Sequence, residues 1–122
     1  MDDQQRKRIG TGGEDAALRY LTAQKLKLIE RNYRCRTGEI DLVMLDGGTL
    51  ALIEVRYRTD SHFGGAAASV TWHKQRRIIS ASKHLLLTRR DLRRFPARFD
   101  VVAVAPGAGG MQVEWIRAAF ST

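Results

Sequence analysis

Gly38-Glu-Ile-Asp-Leu-Val-Met-Leu-Asp-Gly-Gly-Thr-Leu-Ala-Leu-Ile-Glu-Val-Arg-Tyr-Arg58 holds two apolar runs joined by Asp46-Gly-Gly-Thr49. A Gly-Gly pair between alternating runs is a tight hairpin signal. The spacing predicts strands over 38–45 and 50–58. Both runs carry charge: Glu39 and Asp41 on the first, Glu54 and Arg56 on the second. Acidic side chains are depleted in strands and costly in a core without partners. With Gly47-Gly48 as a two-residue loop, Asp46 faces Thr49, Asp41 faces Glu54, and Glu39 faces Arg56. Opposed residues hold their Cβ atoms about 4.5–5.5 Å apart. Two carboxylates that close repel unless a proton or a cation lies between them. One solution is a divalent metal, because Mg²⁺ takes one or two carboxylates, keeps waters and accepts phosphate oxygens. The other is an ion-pair cluster, with Glu39 on Arg56 and with Asp41 and Glu54 near solvent at a sheet edge.

Outward from the hairpin, Thr11-Gly-Gly-Glu14 reads as a capping box, with Thr11 as N-cap and Glu14 at N3. A helix is expected over 14–25 and a strand over 26–34. The polar, Gly-containing stretch 59–66 reads as a loop. A long helix is expected over 69–89, with Ile78, Ala81, Ser82, Leu85 and Leu86 as its stripe. An Arg-rich loop then leads to Pro96. Strands are expected over 99–105 and 111–117, with a turn over 106–110. The order αβββαββ predicts an α/β fold with helices covering a central mixed sheet.

At 122 residues, 43% of them apolar, the chain is expected to form a single domain, 1–122. The one cysteine, Cys35, excludes a disulfide scaffold and a Cys-rich zinc site. No apolar run approaches the ~18–20 residues of a membrane span, and the start has no apolar h-region. A cytoplasmic protein with no membrane partner is the expectation. Of the formal charge of +8, all is carried between His73 and Arg98, where nine bases meet one acid. Lys74, Gln75, Arg76, Arg77, Arg89, Arg90, Arg93 and Arg94 are the candidate nucleic-acid contacts, and DNA is the expected partner. A solvated helix face with a basic loop is the plainer reading of the same residues.

The other polar and aromatic residues carry weaker signals. Glu14 reads either as a cap or as a ligand facing the sheet beside Leu18 and Leu21. Lys74 and Gln75 either reach phosphate near the hairpin or run along the core edge. Trp72 and Tyr57 are stacking candidates, with core packing the favoured reading of both. Tyr57 alternates with Arg56 and is expected on the opposite sheet face. His62, His73 and His84 lack zinc spacing and read as surface residues. Cys35 has no neighbouring constellation that would make it a nucleophile. Gly10-Thr-Gly-Gly13 lacks the strand and the Gly-Lys-Ser/Thr of a phosphate loop and reads as a flexible cap. Asp100, beside Arg98, reads as structural.

Asp41, twelve residues, then Glu54-Val-Arg56 resembles the Asp…Glu-x-Lys signature of restriction-endonuclease-like nucleases. Over nearly its whole length the chain is similar to the YraN family of small bacterial endonuclease-like proteins. The matching stretches are 13–21, 31–42, 53–58, Val70 with Lys74-Gln75, 98–102, 113–116 and 119–120. The resemblance implies a restriction-endonuclease-like αβββαβ core, similar in architecture to archaeal Holliday-junction resolvases. It implies Glu14, Asp41 and Glu54 as ligands of Mg²⁺ or Mn²⁺, and Asp41, Glu54 and Arg56 as catalytic residues. The implied activity is Mg²⁺-dependent hydrolysis of DNA, structured or branched DNA included; a junction nuclease would need two sites and hence a homodimer. Arg56 stands where the signature has lysine. A guanidinium keeps the charge but does not act as a base, so Arg56 is expected to work electrostatically. The alternatives are a catalytically silent nucleic-acid-binding module or a protein adaptor on the same fold.

Overall fold

A computed structural model of the chain describes residues 3–58 and 70–122, with side chains from residue 12 onward. The expected loop 59–66, His62 and the first residue of the expected helix 69–89 lie outside the described residues. The elements are α1 (Asp3–Ala23), β1 (Lys27–Cys35), β2 (Gly38–Asp46), β3 (Thr49–Tyr57), α2 (Trp72–Thr88), β4 (Ala97–Gly107) and β5 (Gly110–Phe120). The strands form one sheet in the order β1-β2-β3-β4-β5. β3 and β4 run parallel, and the other neighbours are antiparallel. A parallel pair needs a crossover, which α2 supplies. The expected α/β class, a mixed five-stranded sheet between helices consistent with a restriction-endonuclease-like core, is the fold observed.

Each helix covers one face of the sheet. On the α1 face, Ala16, Ala17 and Leu21 meet Leu42, Met44, Ala51, Ile53, Val102 and Val104. On the α2 face, Ile78, Ile79, Ala81 and Leu85 meet Ile40, Leu50, Leu52, Phe99 and Val101. Strands β3 and β4 are buried from both sides, which explains their near-continuous apolar runs.

Three local expectations are corrected. The backbone is helical from Asp3, so Thr11 is not an N-cap, Glu14 is not at N3, and Gly10–Gly13 is helix rather than a flexible cap. Glycine in a helix costs about 1 kcal/mol against alanine. Gly13 has a packing reason: a Cβ there would lie 3.3 Å from Tyr57 Cδ2, so the missing side chain lets α1 approach β3. That contact also places Tyr57 on the α1 face, opposite Arg56, as the alternation predicts. The Arg-rich segment is not a loop: Arg90–Arg94 forms a 3₁₀ turn whose Leu92 is buried. Trp72, expected to pack in the core, is 69% exposed at the start of α2.

Asp100 is structural, as expected. It is fully buried and accepts from Arg98 Nε (3.0 Å), Trp115 Nε1 (3.0 Å) and the Ala118 amide (2.9 Å). The last bond braces the irregularity where the β4–β5 register shifts between Phe99 and Val101. Ala118 there adopts φ 50°. Arg98 also reaches Asp46 of the hairpin at 2.8 Å, tying the β2–β3 turn to β4.

Candidate functional site

The hairpin turn sets the site. Asp46 pairs with Thr49 around Gly47-Gly48, and the ladder continues through Leu45↔Leu50, Met44↔Ala51 and Val43↔Leu52 to Leu42↔Ile53. That is the register read from the sequence. The β2–β3 pairing ends there, one residue short of the acidic pair. Beyond it Asp41 turns its carboxylate onto β3: its Oδ2 accepts from the Val55 amide at 2.8 Å. Asp41 thus lies beside Glu54, in the gap where the two strands part.

The pair is electrostatically loaded. Glu54 is 2% exposed, and its Oε2 is buried without a hydrogen-bond partner. Burial pushes the Asp41 carboxyl up to about 8, with the negative charge of Glu54 adding to the effect and the Val55 amide opposing it. Two cations approach the other oxygen, Glu54 Oε1: Lys74 Nζ at 3.1 Å and Arg56 Nη1 at 3.9 Å. The expected Glu39–Arg56 pair does not form. Glu39 pairs instead with Arg34 of β1 at 3.3 Å, because β1 is its ladder neighbour while β4 flanks Arg56.

Glu14 stands apart from the pair. Its Oε1 is held by Arg31 Nε at 3.2 Å, and Arg31 also grips Asp15 at 2.6 Å. Its charge reaches Asp41 as a minor contribution to the raised carboxyl. Among the described residues no group of three or more His, Cys, Asp or Glu side chains is placed to hold a metal ion. The donor set that fits a divalent cation is therefore Asp41 with Glu54: a protonation-prone carboxyl beside a buried carboxylate oxygen with no partner. Two carboxylates with waters completing the shell suit Mg²⁺ or Mn²⁺. Arg31 holds one of the two Glu14 oxygens.

The basic residues do not gather at one place. Lys74, Gln75, Arg76 and Arg77 lie in the first turns of α2, and of these Lys74 reaches Glu54. Gln75 is committed to the backbone, its Nε2 donating to Val70 O at 2.9 Å. Arg76 lies over the exposed Trp72 ring, 5.9 Å from its centre. Arg89, Arg90, Arg93 and Arg94 lie past the other end of α2, a helix about 25 Å long at its 17 residues. Of these, Arg89 pairs with Asp91 (3.0 Å), Arg93 donates to Leu86 O (2.6 Å), and Arg94 stacks on Phe95. His73 and His84 are exposed, as expected, although His84 Nδ1 bonds the Tyr33 hydroxyl. The Cys35 thiol contacts Thr37 Oγ1, and no acid–base partner adjoins it among its hydrogen bonds.

Comparison with known proteins identifies the family of the chain. The family described as "Uncharacterised protein family UPF0102" matches residues 13–104. The chain belongs to the UPF0102 family. This is the YraN family that the sequence resembles. A UPF0102 protein of Methylococcus capsulatus is 53% identical over 111 residues, covering 91% of this chain and 89% of its own. One from Herminiimonas arsenicoxydans is 51% identical over 115 residues, with coverages of 93% and 87%. One from Alcanivorax borkumensis is 44% identical over 116 residues, with coverages of 94% and 93%. The UPF0102 match begins at Gly13 and so spans Asp41, Glu54, Arg56 and Lys74. Among the described residues no helix is long and apolar enough to cross a membrane.

Two features escaped the sequence. The Lys74–Glu54 contact joins residues twenty positions apart across a crossover. The grip of Arg31 on Glu14 joins β1 to α1. The signal available for the first was a lysine at the start of an amphipathic helix following an acidic strand end.

Proposed function

We propose that this protein is a divalent-metal-dependent endonuclease that hydrolyses phosphodiester bonds in DNA. The observation that carries the reading is the Asp41–Glu54 pair, half sunk in the sheet end with one carboxylate oxygen unpartnered and two cations alongside. A carboxyl that holds its proton beside a buried carboxylate in the absence of metal is well suited to trade that proton for a cation. When bound, the metal would polarise the phosphodiester and lower the pKa of a coordinated water.

Asp41 and Glu54 are the residues that would hold it. The Val55 amide fixes Asp41, and burial within the sheet fixes Glu54, so the donors are preorganised. Arg56 and Lys74 supply positive charge where a pentacovalent phosphate would gain negative charge. In the overall reaction, water adds to phosphorus, one ester P–O bond breaks, and the departing oxygen takes a proton from solvent. The exposed Arg76–Trp72 pair and the arginines beyond the far end of α2 would contact backbone phosphates at two separated places.

Incubation with plain duplex, flap and four-way-junction DNA in Mg²⁺ or Mn²⁺, against a chelator control, tests the reading. Wild type should cut at least one substrate only with metal, and Asp41→Ala and Glu54→Ala should not cut. A second reading, a silent nucleic-acid-binding module, is favoured by one observation: Arg31 occupies Glu14, which leaves two carboxylates rather than three. It predicts salt-sensitive DNA binding with no cleavage under any metal.

A further inference from the structure

The cation nearest the acidic pair is not on the hairpin. Lys74 Nζ lies 3.1 Å from Glu54 Oε1, within hydrogen-bond range, whereas Arg56 Nη1 stops at 3.9 Å from the same atom. The ammonium is brought there by a braced helix start. Thr71 Oγ1 accepts from the Lys74 amide at 3.1 Å, and Gln75 Nε2 ties back to Val70 O at 2.9 Å. Lys74 keeps one side open: with Thr71, His73 and Arg77 it lines a surface depression of about 400 Å³. An ammonium has three donors, so one on Glu54 leaves two for other partners. A guanidinium at position 56 has its donors in one plane and makes no hydrogen bond to Glu54.

We infer that Lys74, more than Arg56, is the working cation of the proposed site, with two linked roles. In the metal-free protein it is the counter-ion of Glu54 and holds the oxygen that a divalent cation would take. With Glu54 engaged by metal, the same ammonium is released toward the depression and orients the water and scissile phosphate there. The inference rests on the nuclease reading and names the residue that completes it. It makes an unusual paired prediction: removing the ammonium strengthens metal binding and weakens cleavage.

The test uses the full chain, with Mn²⁺ alone as the calorimetric probe and with a DNA substrate that wild type cuts. Lys74→Met keeps most of the apolar stem and removes the charge. It should bind Mn²⁺ about three- to fivefold tighter, the size expected from relieving one partly exposed ion pair. At saturating Mn²⁺ it should cut about 10²-fold more slowly, as when one transition-state donor is removed. Arg77→Met removes an equal charge one turn on, without the Glu54 contact, and should change Mn²⁺ affinity less. In Lys74→Met/Arg56→Lys, an ammonium returns beside the same oxygen and should recover about tenfold of the lost rate. Weaker or unchanged Mn²⁺ binding in Lys74→Met, unimpaired cleavage, equal tightening in Arg77→Met, or no recovery in the double variant would each overturn the inference while leaving the nuclease reading standing. Wild type that takes up no Mn²⁺ and cuts nothing would overturn both.

Discussion

Asp41→Asn at different pH values probes the acidic pair without any metal or DNA. The Asp41 carboxyl is raised from 3.8 to about 8 in the folded protein, chiefly by burial and then by Glu54. Between those values the folded chain binds a proton that the unfolded chain has released. Stability must therefore fall as pH rises through that window, by up to about 1.4 kcal/mol per pH unit for one proton. The contribution is fully present below about pH 4 and gone above about pH 8. Asparagine imitates the protonated acid: its oxygen can still accept from the Val55 amide, and its NH₂ can donate toward Glu54. Asp41→Asn should then match wild type near pH 4, already exceed it at pH 5, and exceed it increasingly toward pH 8. Urea unfolding in chelator, at unit steps from pH 5 to 9, reads this directly. With typical slopes, the midpoint difference should open by roughly 0.5–1.4 M urea per pH unit at most. Comparing the two proteins cancels other titrating groups, including the histidines and the relief of net positive charge. Parallel curves for wild type and Asp41→Asn, or a gap that narrows with rising pH, would refute the geometry assigned to the pair.

Three further outcomes are expected. Asp100→Ala leaves Arg98 with Asp46 alone and unpairs Trp115 Nε1 and the Ala118 amide, and should lower stability by about 3–5 kcal/mol in urea melts. Gly38→Ala would drive a Cβ into the Arg77 backbone oxygen, where β2 meets α2, and should cost about 1–3 kcal/mol in the same assay. If the basic 3₁₀ turn contacts DNA, Arg90→Ala should reduce the salt dependence of binding by about one phosphate, or ~0.9 in log–log slope, while Arg89→Ala, already paired with Asp91, should change it less.

The hairpin was readable because its information is local. Asp46-Gly-Gly-Thr49 fixes the turn, the turn fixes the register, and period two assigns the faces as far as Leu42 and Ile53. The Glu39–Arg56 pairing failed because it extends that register past the point where the strands part; the ladder neighbour of Glu39 is then Arg34. Helix α1 was cut short in the reading because glycines 10, 12 and 13 look like a break. The reason for one of them, the close approach of Gly13 to Tyr57, exists only once α1 lies on the sheet. The basic segment looked like one patch because nine charges are close in sequence. A helix of about 25 Å between them separates Lys74 from Arg89, which no count of charge reveals. The Lys74–Glu54 and Arg31–Glu14 contacts arise from packing between elements, which periodicity within an element does not fix.

The claim on which the account depends is that Asp41 and Glu54 together bind one divalent cation. Calorimetric titration of Mn²⁺ into wild type, Asp41→Asn and Glu54→Gln at pH 8 tests it most directly. Wild type should show one site, and both variants should lose it. No heat of binding in wild type, or equal binding in all three proteins, would contradict it.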